Sequence, residues 1–306
     1  MIKGDKSILL VTGLYPPDIG GPATYCHLLN EELPLRGWSV EVLSFGAVRR
    51  WPKIIRHIFF FFQVLNRARF SRVIYVQDPV SVGLPACLAM FFLRRNFVLK
   101  VVGDYAWEQG RQRFKVLDNL DDFSIRCKEY SLIVRLLKFV QLKVAQRASK
   151  IIVPSAYLKK IVTNWGIHPE KIKVIYNSLE NFPSLDDKND LRSQLEFSFP
   201  VLISVGRLVP WKGFDLLINL IPSILEVYPK VKLYIIGSGP DRDKLENLIK
   251  KRGLSENIYL TGQLARIDVL RYVKASDIFV LNTGYEGFSH QLLEVMQCGT
   301  PIITTN

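Results

Sequence analysis

The chain of 306 residues has few cysteines and no long apolar run. Its apolar runs near residues 58–62 and 84–93 fall well below the roughly 20 residues that a membrane-spanning helix needs. The four cysteines contain no Cys-x-x-Cys pair, which argues against a zinc site and a disulfide framework and favours a reducing compartment. These absences predict a cytoplasmic protein that is soluble or peripheral to a membrane. The cysteines are Cys26, Cys87, Cys127 and Cys298.

Histidine is also scarce, with four in the chain, and no group of His, Asp and Glu has the spacing of metal ligands. We therefore expect no metal and no other cofactor. Hydrophobic residues make up 48% of the chain and charged residues 23%, which is the composition of a globular protein rather than a disordered one.

Positive charge is concentrated in one half of the chain. Residues 1–185 contain 27 Lys and Arg against 14 Asp and Glu, whereas residues 186–306 contain 14 of each. The first half is thus expected to meet an anionic partner, either nucleic acid, an acidic membrane surface or a lipid-phosphate acceptor. Nucleic acid is disfavoured because that half lacks a helix-turn-helix pattern, an RNP-like motif and zinc ligands.

The densest mixture of cations and aromatic residues is the stretch 49–62, which reads Arg-Arg-Trp-Pro-Lys-Ile-Ile-Arg-His-Ile-Phe-Phe-Phe-Phe. This composition suits a helix that lies in a membrane interface on the inner face of the cell membrane. Part of the phenylalanine run is expected to cover the sheet of its own domain instead.

Short β-branched runs alternate with longer amphipathic segments, a pattern typical of βα units around a parallel sheet. In the first half, strands are predicted at Ile8–Thr12, Val40–Ser44, Val73–Val76, Phe97–Val101, Ile151–Val153 and Lys173–Ile175. Helices are predicted there at Ala23–Leu35, Lys53–Ala68, Gly83–Arg94 and Asp122–Ala148. In the second half, strands are predicted at Val201–Val205, Lys232–Ile236, Ile258–Thr261, Ile278–Leu281 and Pro301–Thr304. The helices predicted there are Gly213–Val227, Asp241–Arg252, Ile267–Lys274 and His290–Gln297.

A polar segment that contains a proline separates the two series of βα units. We therefore predict two Rossmann-like domains that face each other across a cleft, at residues 1–180 and 200–306, with a linker at 181–199. The second series stops on the apolar strand 301–306. Ending there would leave an apolar face of the sheet uncovered, so the second domain is expected to be incomplete.

Three loops in the second half carry the chemistry of a phosphate site. The first follows a predicted strand and places Arg207 and Lys212 five residues apart, where open α/β sheets bind ligands. Arginine can bind a diphosphate with two parallel hydrogen bonds, and lysine contributes a point charge. The second loop, Gly237-Ser-Gly-Pro, allows close backbone approach, but its third glycine is missing and this argues mildly against NAD.

The third loop, residues 284–294, places Glu286 before a helix for which Ser289 is the predicted N-cap. Backbone amides at the start of that helix attract anions. Glu294 follows within the next turns and could bind a ribose diol through both oxygens. Two acids beside an anion site would repel phosphate unless they bind neutral hydroxyls on either side of it. A sugar nucleotide, with its order of sugar, diphosphate and ribose, has that layout.

These motifs, with Cys-Gly-Thr-Pro at 298–301, resemble glycosyltransferase family 4. At the N-terminus, Tyr-Pro-Pro-Asp-Ile-Gly-Gly-Pro at 15–22 is similar to the family's glycine-rich loop, and Tyr-Asn-Ser at 176–178 resembles its Pro-Asn-Gly turn. The resemblance covers nearly the whole chain. It implies the GT-B fold, retention of the anomeric configuration and no need for a metal. It also implies a C-terminal tail that is lacking after Asn306.

The resemblance assigns roles by position. Arg207 and Lys212 would bind the donor diphosphate, and Glu294 would bind the ribose. Glu286 would contact the transferred sugar. The remaining donor contacts would come from Gly20, Gly21, Gly237, Phe288 and Ser289.

One family position departs from the pattern. Many members place a histidine near the anomeric carbon, and here Asp104 occupies the corresponding stretch. It is a candidate for accepting the acceptor's proton or binding a sugar hydroxyl.

The expected reaction is transfer of a hexosyl group from a UDP- or GDP-sugar to a hydroxyl of a glycan or lipid-linked glycan. The family is thought to use front-face attack assisted by the leaving phosphate, so Glu286 is not assigned as a nucleophile. Two alternatives stay open at this point. One is a nucleotide-sugar epimerase on the same two-domain plan, and the other is a non-enzymatic basic module that binds nucleic acid.

Overall fold

The computed structural model describes residues 6–18, 20–126, 129–178 and 182–305. The chain divides into two compact units, Met1–Asn177 and Ser178–Asn306, and the predicted boundary at residue 180 lies outside the described residues. Each unit is an α/β domain built around one parallel sheet. The predicted fold class of two parallel-sheet α/β domains is therefore confirmed.

The sheet of the first unit has the strand order β2-β1-β3-β4-β5-β6, with every pair parallel. Its central strands are buried on both faces, as βα crossovers require. Leu10, for example, packs on one face with Cys26 of the first helix, and the alternate residues Leu9 and Val11 point to the other face. The strands are β1 (Ser7–Thr12), β2 (Ser39–Ser44), β3 (Val73–Gln77), β4 (Val98–Lys100), β5 (Lys150–Val153) and β6 (Ile172–Val174).

Seven helices of the first unit lie within the described residues. The sequence predicted one helix over 122–148, but the structure has two there, and each begins at its own cap. Asn119 accepts from the N–H of Asp122, and Ser131 accepts from the N–H of Val134. The helices are α1 (Gly21–Leu35), α2 (Lys53–Ala68), α3 (Gly83–Leu93), α4 (Tyr105–Arg113), α5 (Leu120–Ile125), α6 (Leu132–Arg147) and α7 (Ala156–Asn164).

The second unit has the strand order β11-β10-β7-β8-β9, again with parallel pairs. Leu233 and Ile235 belong to the core on one face of this sheet, and Ile203, Val205 and Phe279 belong to the core on the other. Its elements are α8 (Lys188–Gln194), β7 (Val201–Val205), α9 (Phe214–Val227), β8 (Lys232–Ile236), α10 (Arg242–Lys251), β9 (Ile258–Gly262), α11 (Arg266–Ala275), β10 (Ile278–Leu281), α12 (His290–Cys298) and β11 (Ile302–Thr304).

Helix α8 lies inside the stretch that the sequence analysis treated as linker. Its Leu191 is fully buried, and Arg192 donates to Asp277 at 3.0 Å, while Lys188 lies 3.4 Å from the same carboxylate. Asp277 also accepts the N–H of Val201 at 2.8 Å. This part of the stretch is therefore packed onto the second unit rather than free of it.

Candidate functional site

The second sheet reverses its winding between β7 and β10. The chain adds β8 and β9 on one side of β7 and then returns to place β10 on the other side. In open α/β sheets, ligands bind beyond the carboxyl ends of the strands at such a reversal point. The loops that follow β7 and β10 border this position, and they carry Arg207, Lys212 and Glu286.

These two loops are held together by backbone contacts. The N–H of Gly284 donates to the Trp211 carbonyl at 2.8 Å, and Asn282 Nδ2 donates to the Gly213 carbonyl at 3.0 Å. Gly213 has a φ of +59°, and a Cβ there would lie 2.5 Å from the Asn282 carbonyl oxygen. Only glycine fits this position, so the approach of the two loops depends on it.

The packing of the loops brings together two residues that the sequence analysis assigned to different parts of one ligand. Lys212 Nζ forms an ion pair with Glu286 Oε2. The Lys212 side chain is only 13% exposed, and that of Glu286 is 30% exposed. Because water is partly excluded, this pair interacts more strongly than one on an open surface.

Arg207 lies at the same edge of the sheet and is in a different situation. Its side chain is exposed and makes no hydrogen bond or ion pair within the part of the chain that the structure describes. The guanidinium is therefore available to an anion. The candidate site thus holds one cation that is paired and one that is not.

Gly237 was predicted to contact the donor. In the structure it packs closely against the backbone of the loop after β7. A Cβ at Gly237 would lie 1.9 Å from the Gly206 carbonyl oxygen, and one at Gly239 would lie 2.3 Å from the Leu208 carbonyl oxygen. The N–H of Leu208 donates to the Ser238 carbonyl at 3.0 Å. These glycines let the loop after β8 pack against the loop that carries Arg207, which is a positioning role.

Helix α12 begins as predicted. Ser289 is 8% exposed and its hydroxyl accepts from the N–H of Leu292 at 3.4 Å, while Phe288 just before it is half-buried. Further along the helix, Glu294 Oε1 accepts from Arg266 Nε at 2.8 Å. Each predicted acid of the site therefore has its own cationic partner.

Arg266 and Asn282 were not predicted from the sequence. Both lie just beyond the carboxyl end of a strand, Asn282 directly after β10 and Arg266 at the start of α11, four residues after β9. That position is the only sequence signal that could have found them, because neither residue belongs to a recognisable motif. Within the described residues, no group of three or more His, Cys, Asp and Glu is arranged to hold a metal ion.

In the first unit, Gly20 and Gly21 form the start of α1. Gly20 has a φ of +147°, which favours glycine, and its carbonyl accepts from the N–H groups of Ala23 and Thr24. The loop before it is held by Arg49, which binds Asp18 at 2.7 Å and the Gly13 carbonyl at 2.8 Å. Ile19, in the same loop, lies outside the described residues.

Asp104, predicted to be a catalytic residue, lies inside the first unit. It is fully buried, and its carboxylate accepts from the Trp107 N–H at 2.9 Å and from Trp165 Nε1 at 3.0 Å. Burial raises the pKa of this carboxyl, although the hydrogen bonds stabilise its charged form. Both carboxylate oxygens accept hydrogen bonds within the first unit, and Asp104 is the N-cap of α4. Its catalytic role stays a prediction.

Two family models match the chain. The model described as "Glycosyl transferases group 1" matches residues 187–306, and the one described as "Glycosyl transferase 4-like domain" matches residues 31–178. An uncharacterised glycosyltransferase of Methanocaldococcus jannaschii is 27% identical over 98% of this chain and 80% of its own length. A human phosphatidylinositol N-acetylglucosaminyltransferase subunit is 29% identical over 98% of this chain and 62% of its own length. The mannosylfructose-phosphate synthase of Agrobacterium fabrum is 30% identical over 48% of this chain and 35% of its own length.

Solved structures resemble the chain over nearly its whole length. HepE of Anabaena, in complex with UDP and glucose, has a TM-score of 0.70 at 21% identity, over 98% of this chain and 80% of that one. The sucrose-phosphate synthase of Thermosynechococcus elongatus has a TM-score of 0.74 at 18% identity, over 98% of this chain and 81% of that one. At these identities the likeness concerns the fold.

Proposed function

We propose a specific reaction for this chain, which belongs to the GT-B glycosyltransferases of the family 4 type. It transfers a hexosyl group from a UDP- or GDP-sugar to a hydroxyl of a glycan or a lipid-linked glycan, with retention of configuration. The observation that carries the proposal is the ion pair of Lys212 with Glu286 at the reversal point of the second sheet, with the exposed Arg207 in the same loop as Lys212.

The donor diphosphate binds Arg207 and Lys212. Arg207 is exposed and unpaired within the described chain, so binding phosphate costs it no existing contact. Lys212 is held in place by Glu286. When a diphosphate arrives, Lys212 can contact it while Glu286 turns to a neutral hydroxyl of the transferred sugar. Glu294, on α12, binds the ribose.

Cations that are already positioned in the free enzyme suit the chemistry of this reaction. Negative charge develops on the leaving diphosphate as the bond to the anomeric carbon breaks. Fixed donors in a partly desolvated site stabilise that charge without having to reorganise. Lys212 and Arg207 supply this stabilisation, and Glu286 contacts the sugar on which the transfer takes place. No metal is required in this scheme.

The names of the relatives support a nucleotide-sugar donor and leave its base open. HepE was solved with UDP and glucose, and UDP is thus one candidate for this site. A further relative, from Corynebacterium glutamicum, is named as a GDP-mannose-dependent mannosyltransferase and is 33% identical over 39% of this chain. Both the human and the Corynebacterium relatives are named for phosphatidylinositol-based acceptors, which favours a lipid-linked acceptor here.

Incubation of the protein with a panel of UDP- and GDP-sugars and a mixture of lipid-linked and soluble acceptors tests this function. We expect acceptor-dependent release of one nucleoside diphosphate and a product with the α or β configuration of its donor. Release of an epimerised sugar, or no nucleotide release from any donor with any acceptor, would contradict the proposed reaction.

The first unit carries an apolar face that suits a lipid-linked acceptor. Helix α3 packs between α2 and α6, and all three helices expose large apolar side chains. Residues in the same helices enter the core, such as Phe60, which is fully buried. The exposed members of these helices, together with Trp51 just before α2, are called here the aromatic face. They are Trp51, Phe59, Phe62, Leu88, Phe91, Phe92, Leu132, Ile133, Leu136 and Phe139.

Exposed apolar patches of this extent mark interaction sites in soluble domains. The aromatic face lies in the unit that holds the whole positive excess, and its neighbours include the exposed cations Arg50, Arg94 and Arg135. Cations beside an apolar helix face suit an anionic lipid surface. Within the described residues no helix is long and apolar enough to cross a bilayer. The proposed occupant of the aromatic face is therefore the surface of an anionic membrane, at the inner face of the cell membrane.

A further inference from the structure

The first sheet has a reversal point of its own, between β1 and β3. The chain places β2 on one side of β1 and then continues on the other side with β3 and β4. Three polar residues end these strands on one face of the sheet. Gln77 and Lys100 are register partners, and Thr12 Oγ1 lies 3.2 Å from Gln77 Oε1. A reversal point in a parallel sheet is where ligands bind, and here it is bordered by a row formed by Thr12, Gln77 and Lys100.

Lys100 is unusual among the lysines of the chain because it is fully buried. Its Nζ has no hydrogen-bond partner within the described residues and lies 4.2 Å from the centre of the Tyr25 ring. Burial lowers the pKa of this amine to about 8. A buried ammonium that lacks an acceptor is costly, so its presence at this position points to a group that it binds.

Gln77 adds a second donor next to Lys100. The side chain is 2% exposed, and its Nε2 has no hydrogen-bond partner within the described chain. Because Gln77 and Lys100 are neighbours across a parallel pair, their side chains leave the sheet on the same face. Two buried donors without acceptors thus lie side by side. The walls around them are provided by α1, through Tyr25, and by Tyr75, whose hydroxyl lies 3.0 Å from that of Tyr25.

We propose that Lys100 and Gln77 bind a phosphate group of the acceptor at this edge of the first sheet. The assignment to the acceptor rests on the proposed glycosyl transfer, whereas the phosphate site does not. A phosphate matches the row because it offers several acceptor oxygens to the ammonium and the amide, and its charge compensates the buried cation. The positive excess of the first unit raises the local concentration of such anions.

The same phosphate chemistry occurs in a soluble sugar phosphate and in a lipid phosphate. Thermal unfolding of the whole chain should be followed with inorganic phosphate, glucose 6-phosphate and dihexanoyl phosphatidic acid. Sodium chloride and acetate at equal ionic strength serve as references. We expect phosphate-bearing probes, and not acetate, to raise the melting temperature of the wild type. If glucose 6-phosphate binds more tightly than phosphatidic acid, the phosphate comes from a soluble acceptor. If phosphatidic acid binds more tightly, it comes from a lipid acceptor.

Lys100→Met and Gln77→Met remove the two donors at nearly constant volume, and Lys173→Met, at an exposed position of β6, is the control for loss of charge. We expect Lys100→Met to weaken phosphate binding about tenfold or more and Lys173→Met to leave it unchanged. Without phosphate, Lys100→Met should melt at or above the wild-type temperature, because a buried charge without a hydrogen-bond acceptor has been removed.

Three results would overturn the proposal. The first is no phosphate effect in the wild type, and the second is an equal phosphate effect in the wild type and Lys100→Met. The third is a loss of stability in each of the two ligand-free variants, Gln77→Met and Lys100→Met, which would mean that the Gln77 amide oxygen accepts from Lys100 inside the protein. UDP binding by Lys100→Met is measured in parallel. Retained UDP affinity with lost phosphate binding separates failure of this site from failure of the donor site.

Discussion

Lys212 Nζ and Glu286 Oε2 form an ion pair between the loops that follow β7 and β10. The two residues are 74 positions apart in the sequence and meet because β10 returns to lie beside β7. In the proposed donor complex one binds phosphate and the other binds sugar. The pair therefore holds both side chains in the free enzyme near the positions that the proposed donor complex requires.

Replacing Glu286 tests whether this pair is a holding contact or part of nucleotide binding. In Glu286→Gln, Lys212 loses its carboxylate partner and gains freedom to contact phosphate. We expect the affinity for UDP or GDP to stay the same or rise by a few-fold, and the rate of transfer to fall at least tenfold, about 1.4 kcal/mol of transition-state stabilisation. Calorimetry with the nucleotide and a transfer assay measure the two effects. A loss of nucleotide affinity as large as that in Lys212→Ala would refute the division of roles.

The two cations should each contribute to binding of the diphosphate. Arg207→Ala and Lys212→Ala each remove one charge-assisted contact worth about 1.5–3 kcal/mol, so each should weaken nucleotide binding about tenfold or more. The matched control is Lys230→Ala. Lys230 is an exposed cation in the turn between α9 and β8, at the amino ends of the strands, whereas the candidate site lies at their carboxyl ends. Calorimetry with UDP and GDP measures the change. Unchanged affinity in both Arg207→Ala and Lys212→Ala, or an equal loss of affinity in the control, would contradict the assignment of these two cations to the diphosphate.

Glu294 should determine the preference of the protein for a nucleotide that carries ribose. Its Oε1 accepts from Arg266 Nε at 2.8 Å, which fixes the position of the carboxylate on α12. If the carboxylate binds the ribose diol, the wild type should prefer a ribonucleoside diphosphate to its 2′-deoxy form. Glu294→Ala should weaken binding of the ribonucleotide and abolish that preference. A preference that survives the substitution would place the ribose elsewhere.

Arg266 offers a control for the same experiment. Arg266→Ala removes the partner and leaves the carboxylate in place, so we expect only a small loss of nucleotide affinity and a retained preference for ribose. A loss as large as that in Glu294→Ala would show that the ion pair acts as a unit.

The sequence predicted the fold well because the strands of a parallel sheet are short apolar runs that need little tertiary information. All six strand predictions in the first unit and all five in the second overlap an observed strand or end beside one. Helices were harder where polar residues predominate. Helix α8 was read as linker because its charges, such as Arg192, find their partner Asp277 only in the folded domain.

Part of the geometry of the candidate site could be predicted for the same reason, whereas the roles of its residues stay predictions. Loop position and residue type were enough to select Arg207, Lys212, Glu286 and Glu294 as candidates. They could not show that Lys212 pairs with Glu286, because this contact depends on the return of β10 to the side of β7. Asp104 was selected by its place in a motif, and its burial as a helix cap is a tertiary fact that the motif does not contain.

The aromatic face makes a prediction about where the enzyme works. We expect the protein to bind vesicles that contain anionic lipid, with binding that weakens as salt rises, because each cation near such a surface contributes about 1 kcal/mol and is screened by salt. Phe62→Glu with Phe92→Glu, on α2 and α3, should reduce binding at every salt concentration, since the apolar contact is lost. Arg50→Glu with Arg94→Glu should reduce it mainly at low salt. Arg49 is left intact because it holds the loop at Asp18.

The control for vesicle binding lies in the other unit, where exposed apolar side chains occur without a charge excess. Leu216 and Leu220 on α9 are about as exposed as Phe59 on α2. Leu216→Glu with Leu220→Glu therefore makes the same kind of apolar-to-acidic change as Phe62→Glu with Phe92→Glu, but in the other unit. Co-sedimentation with vesicles of neutral lipid and of anionic lipid compares all variants. We expect the α9 variant to sediment like the wild type. If the wild type fails to sediment at low salt, or the aromatic and α9 variants lose binding equally, the aromatic face is not the membrane contact and a soluble acceptor becomes the better assignment.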